Sequence, residues 1–200
     1  MDRQIIVAIG REYGSAGHEI AQQIADDLGL AFYDQQLIDE IAHTEQLDTF
    51  DARMFDDVPK SIMSAPGLGE NMEPGENKMA EVQFELIKKH AASGESFVIV
   101  GRCAEYILRE YPCLVTVFIM GNMKQKQRRI MNLYQMTAEE AKAAIAYHDR
   151  QRQTFHNSYS DTKWGEAKGY DLCINSSKLG VKNTTRLLEE YIKLRMEAME

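Results

Sequence analysis

The residues with the clearest chemical meaning are Gly10, Gly14 and Gly17, which lie in the segment IGREYGSAGHEIA. Glycines between a strand and a helix permit positive φ angles and let the backbone approach a ligand closely. The first N–H groups of the helix, together with its dipole, favour an anion. We therefore expect a phosphate group at this loop. Glycine spacing alone leaves one alternative open, a tight strand-to-helix turn that binds nothing.

The loop has to be positioned by a strand before it and a helix after it. Residues 4–10 (QIIVAIG) are an apolar, β-branched run typical of a strand buried on both faces of a parallel sheet. Beyond the loop the period changes, because Ile20, Ile24 and Leu28 place one apolar face on a helix that Gly29 can end.

Strands and helices alternate along the rest of the chain. Further strands are predicted at 31–33, 97–100, 114–120 and 171–174, and helices at about 37–42, 78–92, 104–110, 124–155 and 184–199. This alternation indicates a three-layer α/β/α fold with a mostly parallel five-stranded sheet, whose ligands lie beyond the C-terminal strand edges. We expect one domain over residues 1–200, in which the acidic, Pro- and Gly-containing segment 48–77 is a mobile surface insertion.

Composition narrows the classes of partner. The 200 residues carry a formal net charge of −8, which argues against a broad electrostatic grip on nucleic acid or an anionic membrane. The chain has neither an apolar run of membrane-spanning length nor the layout of a signal peptide, so the expected location is the cytoplasm. Cys103, Cys113 and Cys173 lack C-x-x-C spacing, and we interpret them as reduced and mostly buried.

The loop matches the phosphate-loop pattern G-x-x-x-x-G-K-[ST] only in part. The register that ends in Gly17 puts Glu12, His18 and Glu19 at the positions of the first glycine, the lysine and the Ser/Thr. The chain nevertheless resembles the cytidylate kinase-like family, a divergent branch of the P-loop nucleoside monophosphate kinases. The resemblance covers nearly the whole chain and rests on these segments: GREYGSAGHEIA, LGLAFYDQQLIDEIA, VIVGRCAEYIL, VFI followed by QRRI, DRQRQTFHNSY and KWGEAKGYDLCINSSKLG.

The resemblance implies a P-loop NTPase fold of the nucleoside monophosphate kinase type, with ATP and Mg²⁺ as cofactors and a basic helical lid at about 123–160. It implies that the donor phosphates are held by Gly14, Ser15, Ala16, Gly17 and His18. Glu19 takes the position that usually supplies a magnesium-binding hydroxyl, and it would reach the metal directly or through a water.

His18 changes the chemistry of the loop. The lysine usual at this position is a fixed positive charge on the β- and γ-phosphates. An unperturbed imidazole is mostly neutral at pH 7, although bound phosphate favours its charged form. We include His18 among the candidate catalytic residues, the alternative being an ordinary helix-start residue that contacts water.

By resemblance, three residues bind the acceptor. Arg102 matches the Gly-Arg of cytidylate kinases, whose arginine holds the acceptor phosphate, but Cys103 stands where that family has an aspartate. Asp149 and Arg152 match a D-x-x-R signature, although Ile145 replaces a further arginine. The alternatives are a capping or salt-bridging role for Arg102 and, for the other two, a surface ion pair worth about 0.2–0.5 kcal/mol.

Two more positions carry over from the family. Arg128 and Arg129 match paired arginines at the base of the lid, where they would stabilise charge on the transferring phosphoryl group. A solvated basic face competes with that interpretation. Asp34 matches a position near the acceptor site, but we favour a helix N-cap for it.

The leading functional hypothesis is a phosphotransferase that moves the ATP γ-phosphate to a nucleoside monophosphate, with CMP or dCMP as the acceptor suggested by resemblance. The alternatives are a kinase of another small metabolite, a catalytically weak or inactive nucleotide-binding regulatory module, and a scaffold in which the loop merely turns the chain. The expected partner is a small nucleotide, with no nucleic acid and no membrane. Both a monomer and a homodimer stay open.

Overall fold

A computed structural model describes residues 4–34 and 74–198, with side chains from residue 80 onward in the second range. Its sheet has five strands, Ile6–Arg11 (β1), Ala31–Tyr33 (β2), Phe97–Val100 (β3), Leu114–Met120 (β4) and Leu172–Asn175 (β5). All four pairings are parallel and the strand order is β2-β3-β1-β4-β5. The predicted α/β fold with a parallel five-stranded sheet is therefore confirmed.

The described helices are Gly17–Leu28 (α1), Pro74–Ala92 (α2), Ala104–Ile107 (α3), Met123–Tyr134 (α4), Ala138–Tyr159 (α5) and Ser176–Ala198 (α6). The polar stretch expected as one helix is thus two. A new helix starts after the break because Thr137 forms a capping box with Glu140. Helix α2 starts earlier than expected, at Pro74. Helix α6 is interrupted at Gly180, which has φ +75°, so a short helical turn precedes its main part, and that main part begins close to the expected residue 184.

Side chains of the central strand β1 contribute to the hydrophobic cores on both faces of the sheet. Its residues alternate, so that Val7 and Ile9 pack with α1 and α6 while Ile6 and Ala8 pack with α2 and α3. Each fully buried Ile or Val side chain contributes about 1.5–3 kcal/mol. These two cores hold the end of β1, and therefore the loop that follows it, in a rigid frame.

A third, smaller core fixes α4 and α5 against the loop. Tyr13 of the loop packs with Ile130 of α4 and with Ala141, Ala144 and Ile145 of α5. The helical segment expected as a lid is therefore in direct contact with the glycine loop along its base.

Two expectations lie largely outside the described residues. These are the helix at 37–42 and the insertion at 48–77, of which only the last four residues are described, as the first turn of α2. Within the described ranges, no helix is both long and apolar enough to cross a membrane.

Candidate functional site

The glycine loop ends in a helix start suited to an anion. Gly14 has φ +79° and Ala16 has φ +63°, so the backbone turns through the left-handed region twice before α1 begins at Gly17. Ala16 carries no side-chain oxygen, so it does not cap the helix. A Cβ on Gly14 would lie 3.1 Å from the carbonyl oxygen of Lys126, so this position suits glycine. The result is a backbone cradle facing a cavity.

That cavity, which we call the donor cavity, has a volume of about 360 Å³. It is lined by four of the five residues predicted to hold donor phosphates and by Glu19: Gly14, Ala16, Gly17, His18 and Glu19. Ser15 is 3% exposed and turns inward. Its hydroxyl donates to the carbonyl of Glu12 over 2.8 Å and accepts from the N–H of Gly17 over 3.2 Å. Ser15 thus stabilises the turn through its side chain.

Two ion pairs lie at the mouth of the donor cavity. His18 contacts the carboxylate of Asp34, and Arg129 donates to the carboxylate of Glu19. We call them the mouth pairs. The residues after Asp34, which would show whether it caps a helix, lie outside the described part of the chain. A phosphate entering this cavity meets both a histidine and an arginine whose present partners are acidic.

Beneath the loop lies a buried charge cluster formed by Glu12, Lys126 and Asp149. The side chain of Lys126 is 4% exposed, and its Nζ lies 3.0 Å from both Glu12 Oε2 and Asp149 Oδ2. The second Asp149 oxygen accepts from the N–H of Tyr13 over 2.6 Å. Glu12 also accepts from the N–H of Gly121 over 2.9 Å. The cluster ties the loop to the end of β4 and to both following helices.

Asp149 was expected to bind substrate, and the structure places it elsewhere. One of its oxygens contacts Lys126 and the other accepts from the main-chain N–H of Tyr13, and Asp149 is not among the residues that line the donor cavity or the second cavity described next. The physical reason is Lys126, because a buried ammonium requires carboxylates around it. The sequence analysis did not predict this cluster and did not select Lys126 as a site residue.

The second cavity, which we call the acceptor cavity, is smaller, at about 70 Å³, and lies between the end of β3 and α5. Arg102 and Arg152 both line it, and the guanidinium of Arg102 is 5.7 Å from the ring centroid of Phe155. Trp164 and Tyr170 also line it, but both pack against Phe118, at centroid distances of 5.2 and 5.1 Å. The cavity therefore combines arginine side chains with an aromatic wall.

Two buried ionisable residues, Glu105 and His156, also line the acceptor cavity, and the sequence analysis did not select either. Nε2 of His156 lies 2.7 Å from Oε1 of Glu105. Burial lowers the pKa of His156, but Glu105 and Asn157 outweigh burial and raise that pKa above its usual value. Burial also raises the pKa values of Cys103 and Tyr170, so both stay protonated at neutral pH.

The donor and acceptor cavities meet at Arg11, Asp34 and Arg152, which line both. Nη1 of Arg152 donates to the carbonyl of Arg11 over 3.3 Å, and its guanidinium lies 5.5 Å from the ring centroid of Tyr13. Arg11 was missed from the sequence. The signal was present, because Arg11 directly follows the buried run of β1, as Arg102 follows that of β3 after one glycine.

The adjacent arginines of α4 point in different directions, as successive helical residues do. Arg129 lines the donor cavity. Arg128 is exposed and lines neither the donor cavity nor the acceptor cavity, although it shares an open depression on α4 with Arg129. The structure thus brings Arg129 to the loop and leaves Arg128 facing solvent.

The residues present fit a nucleoside triphosphate better than an isolated metal ion. The backbone cradle and the mouth pairs offer N–H groups and cations to phosphate oxygens. Among residues 4–34 and 74–198, no three His, Cys, Asp or Glu side chains form a group able to hold a metal. Magnesium that is bound together with phosphates needs only one or two protein carboxylates, and Glu19 and Asp34, which line this cavity, would supply them by exchanging their present contacts with Arg129 and His18.

Solved structures resemble this fold over nearly its full length. An uncharacterized protein from Eubacterium ventriosum ATCC 27560 is 33% identical, with 95% of this chain and 99% of that chain covered and a TM-score of 0.76. The shikimate kinase from Bacteroides thetaiotaomicron is 16% identical, with coverages of 94% and 98% and a TM-score of 0.55. The gluconokinase from Sinorhizobium meliloti 1021 is 13% identical, with coverages of 99% and 97% and a TM-score of 0.56.

The shikimate kinase and the gluconokinase share the fold alone with this chain. No curated protein sequence matches it. The family model described as "Cytidylate kinase-like family" matches residues 6–178, a range that contains the glycine loop, Arg102 and both helices α4 and α5. The match spans most of the chain and agrees with the resemblance drawn from its motifs, so this protein belongs to the cytidylate kinase-like family.

Proposed function

We propose that this protein is an ATP-dependent phosphotransferase that transfers the γ-phosphate to a nucleoside monophosphate, with CMP or dCMP as the leading acceptor. The observation that carries the proposal is the junction of the two cavities at Arg11, Asp34 and Arg152. Transfer in line requires the attacking oxygen about 3–3.5 Å from the phosphorus. Adjoining cavities with shared cationic walls provide a place for that approach.

On the donor side, the loop backbone would hold the β- and γ-phosphates while Arg129 and His18 exchange their carboxylate partners for phosphate oxygens. Such an exchange costs little because the mouth pairs are partly exposed, with side chains 31% and 47% exposed for Arg129 and His18. Magnesium bound with ATP would neutralise charge on the β- and γ-phosphate oxygens, with Glu19 or Asp34 as its protein ligand. Arg128 would act only after a movement that brings it over the loop.

On the acceptor side, Arg102 and Arg152 are placed to bind the acceptor phosphate, and Phe155 and Trp164 provide flat apolar surface beside them. Guanidinium groups suit this task because their N–H donors match two phosphate oxygens at once. The preference for a cytosine base rests on the family alone, and Cys103 departs from the family pattern at that point.

The position of Asp34 favours a second candidate function, a kinase that phosphorylates a hydroxyl group of another small metabolite. A phosphate acceptor is already anionic and needs no base, whereas a hydroxyl acceptor must lose a proton during transfer. Asp34 puts a carboxylate at the junction, where that proton would be accepted. The small volume of the acceptor cavity also suits a compact substrate.

The test is ADP formation by purified protein given Mg-ATP and, in parallel, nucleoside monophosphates, small polyols and hydroxy acids, or no acceptor. We expect ADP formation that depends on a nucleoside monophosphate. Dependence on a hydroxyl compound would instead establish the second candidate. Absence of acceptor-dependent ADP, together with nucleotide binding in a thermal-shift assay, would support a regulatory module. Ligand at 100 times its Kd adds about 2.7 kcal/mol to stability, which such an assay detects.

A substitution of Arg102, with a matched control variant, tests whether this residue binds the acceptor. Arg102→Ala should raise the acceptor KM about tenfold or more while leaving the KM for ATP nearly unchanged, because charge-assisted contacts to phosphate are lost. Arg109→Ala removes an arginine of the same segment whose side chain is 53% exposed, and it should leave both constants unchanged. Unchanged acceptor kinetics in Arg102→Ala would remove Arg102 from the site.

A further inference from the structure

The loop lacks the lysine that normally fixes a positive charge on the transferring phosphate, and His18 in its place contacts Asp34. We propose that Arg11, which lines the same cavity as His18, supplies that fixed charge. This inference rests on the phosphotransfer proposed above and assigns a phosphate-contacting residue to it.

The path of the Arg11 side chain is set by two glycines. Arg11 is the last residue of β1 and pairs in register with Ile119 of β4. A Cβ added to Gly17 would lie 2.5 Å from Cβ of Arg11, and one added to Gly101 would lie 2.5 Å from its Nη1. Cβ of Arg11 is fixed by the backbone, so its close approach to the start of α1 requires glycine at Gly17. Nη1 is the movable end of the side chain, and Gly101, which is required by its φ of +81°, leaves room for the guanidinium just after β3.

This path carries the guanidinium to the junction of the two cavities. Arg11 lines the donor cavity together with Gly17 and His18, and it lines the acceptor cavity together with Gly101 and Arg102. A phosphoryl group moving from donor to acceptor passes through this junction. A guanidinium stays charged at every physiological pH and offers several donors to separate oxygens, which an imidazole does not.

Three other cations lie near the loop, namely Lys126, Arg129 and Arg152. Lys126 is buried between two carboxylates, and Arg129 is matched by Glu19 at the cavity mouth. Arg152 also reaches the junction, but it donates to the main-chain carbonyl of Arg11 and so helps to hold the end of β1. Arg11 is thus the cation whose position both the glycine pattern and Arg152 fix.

The experiment compares Arg11→Met, Arg11→Lys and the control Arg150→Met, an exposed arginine of α5 that is not among the residues lining either cavity. Methionine keeps an unbranched stem in the glycine-lined path and removes the charge, whereas lysine keeps both. We expect Arg11→Met to lower kcat about 100-fold or more, as loss of a transition-state contact does. Arg11→Lys should recover at least tenfold of that loss, and Arg150→Met should match the wild type.

Two results would overturn the inference: a folded Arg11→Met variant with wild-type kcat, or an Arg11→Lys variant as impaired as Arg11→Met. The unfolding midpoint of each variant identifies damage to folding, and Arg11→Gln replaces Arg11→Met if the latter does not fold. Adding His18→Lys to the Arg11→Met variant restores a cation at the usual lysine position. This double variant should regain activity. The absence of any gain would count against the inference that Arg11 takes the role of the missing lysine.

A binding measurement separates failure of this inference from failure of the proposed function. If the wild type transfers phosphate to no acceptor, calorimetry with Mg-ATP and Mg-ADP still tests Arg11. We expect Arg11→Met to weaken ATP binding at least tenfold and ADP binding less than threefold, because the contact is to the γ-phosphate. Equal affinities of the variant and the wild type for ATP would overturn the inference, whether or not the wild type is an active kinase.

Discussion

The glycine loop is flanked by two sets of ion pairs that differ mainly in burial. In the buried charge cluster beneath it, the side chains of Lys126, Asp149 and Glu12 are 4%, 19% and 26% exposed. In the mouth pairs above it, the exposures are 47% and 21% for His18 and Asp34, and 31% and 52% for Arg129 and Glu19. The clearest difference is in the cation, because Lys126 is buried whereas His18 and Arg129 are partly exposed.

The buried charge cluster therefore fixes the conformation of the loop, whereas the mouth pairs can change partners when a ligand binds. A buried charge that loses its partner keeps the full cost of its desolvation, so the cluster has to persist whether or not a ligand is bound. An exposed ion pair is worth only about 0–1 kcal/mol and is readily exchanged for a phosphate oxygen. The loop is thus rigid on its inner side and open to ligand exchange on its outer side.

The largest expected effect comes from breaking the inner side. Lys126→Met leaves Glu12 and Asp149 facing each other without a cation and should lower the free energy of unfolding by about 3 kcal/mol. Urea denaturation measures this directly. Lys124→Met, an exposed lysine of the same helix, should change it by no more than about 0.5 kcal/mol.

A triple variant tests whether the loss of stability comes from the unpaired charges. Combining Lys126→Met with Glu12→Gln and Asp149→Asn removes all three charges while preserving shape, and most of the lost stability should return. A loss below about 1 kcal/mol for Lys126→Met alone would show that water reaches the cluster, and the contrast with the mouth pairs would disappear.

The sequence predicted the parts of this arrangement that are local. The apolar run of β1, the glycines of the loop and the helix ending at Gly29 each lie within a few residues of one another, so period and residue type sufficed. Arg102 was found because it directly follows a buried strand and a glycine, and the structure places it in the acceptor cavity.

The buried charge cluster was not predictable in the same way. Lys126 is separated from Glu12 by 114 positions and from Asp149 by 23, so only the tertiary fold selects these partners. Within its own helix Lys126 looks like one of several solvated basic residues. The short helical turn before Gly180 was missed for a similar reason, because the hydroxyl of Ser176 anchors it through hydrogen bonds to the carbonyls of Ser15 and Met120.

The next variant tests the mouth pairs. Arg129→Met should weaken Mg-ATP binding about tenfold, equivalent to about 1.4 kcal/mol, because a cation that faces the donor phosphates is lost. The free energy of unfolding should change by less than about 1 kcal/mol, since Glu19 stays solvated. Calorimetry and urea denaturation on the same protein sample give both numbers. A large loss of stability with unchanged ATP affinity would reverse the roles assigned to the two sides.

The smallest expected effect tests whether burial alone decides the behaviour of a pair. His156 and Glu105 at the acceptor cavity are each 4% exposed, so this pair should resemble the inner cluster. The folded-state pKa of His156 lies above its ordinary value of 6.5, because Glu105 and Asn157 outweigh the burial that would lower it. Its contribution is therefore fully present below about pH 6.5 and is lost as the pH rises through the folded-state pKa.

Comparing His156→Gln with the wild type isolates this contribution. The wild type should exceed the variant in free energy of unfolding by more at pH 6 than at pH 9, with a difference on the order of 1 kcal/mol, the size of one hydrogen bond. Urea denaturation at the two pH values measures it. If the advantage of the wild type grew toward pH 9 instead, the imidazole would be neutral in the folded protein. In that case the effect of desolvation on the pKa of His156 would be larger than the effect of the Glu105 carboxylate. The cluster around Lys126 would then be the remaining case in which burial strengthens a contact between charges.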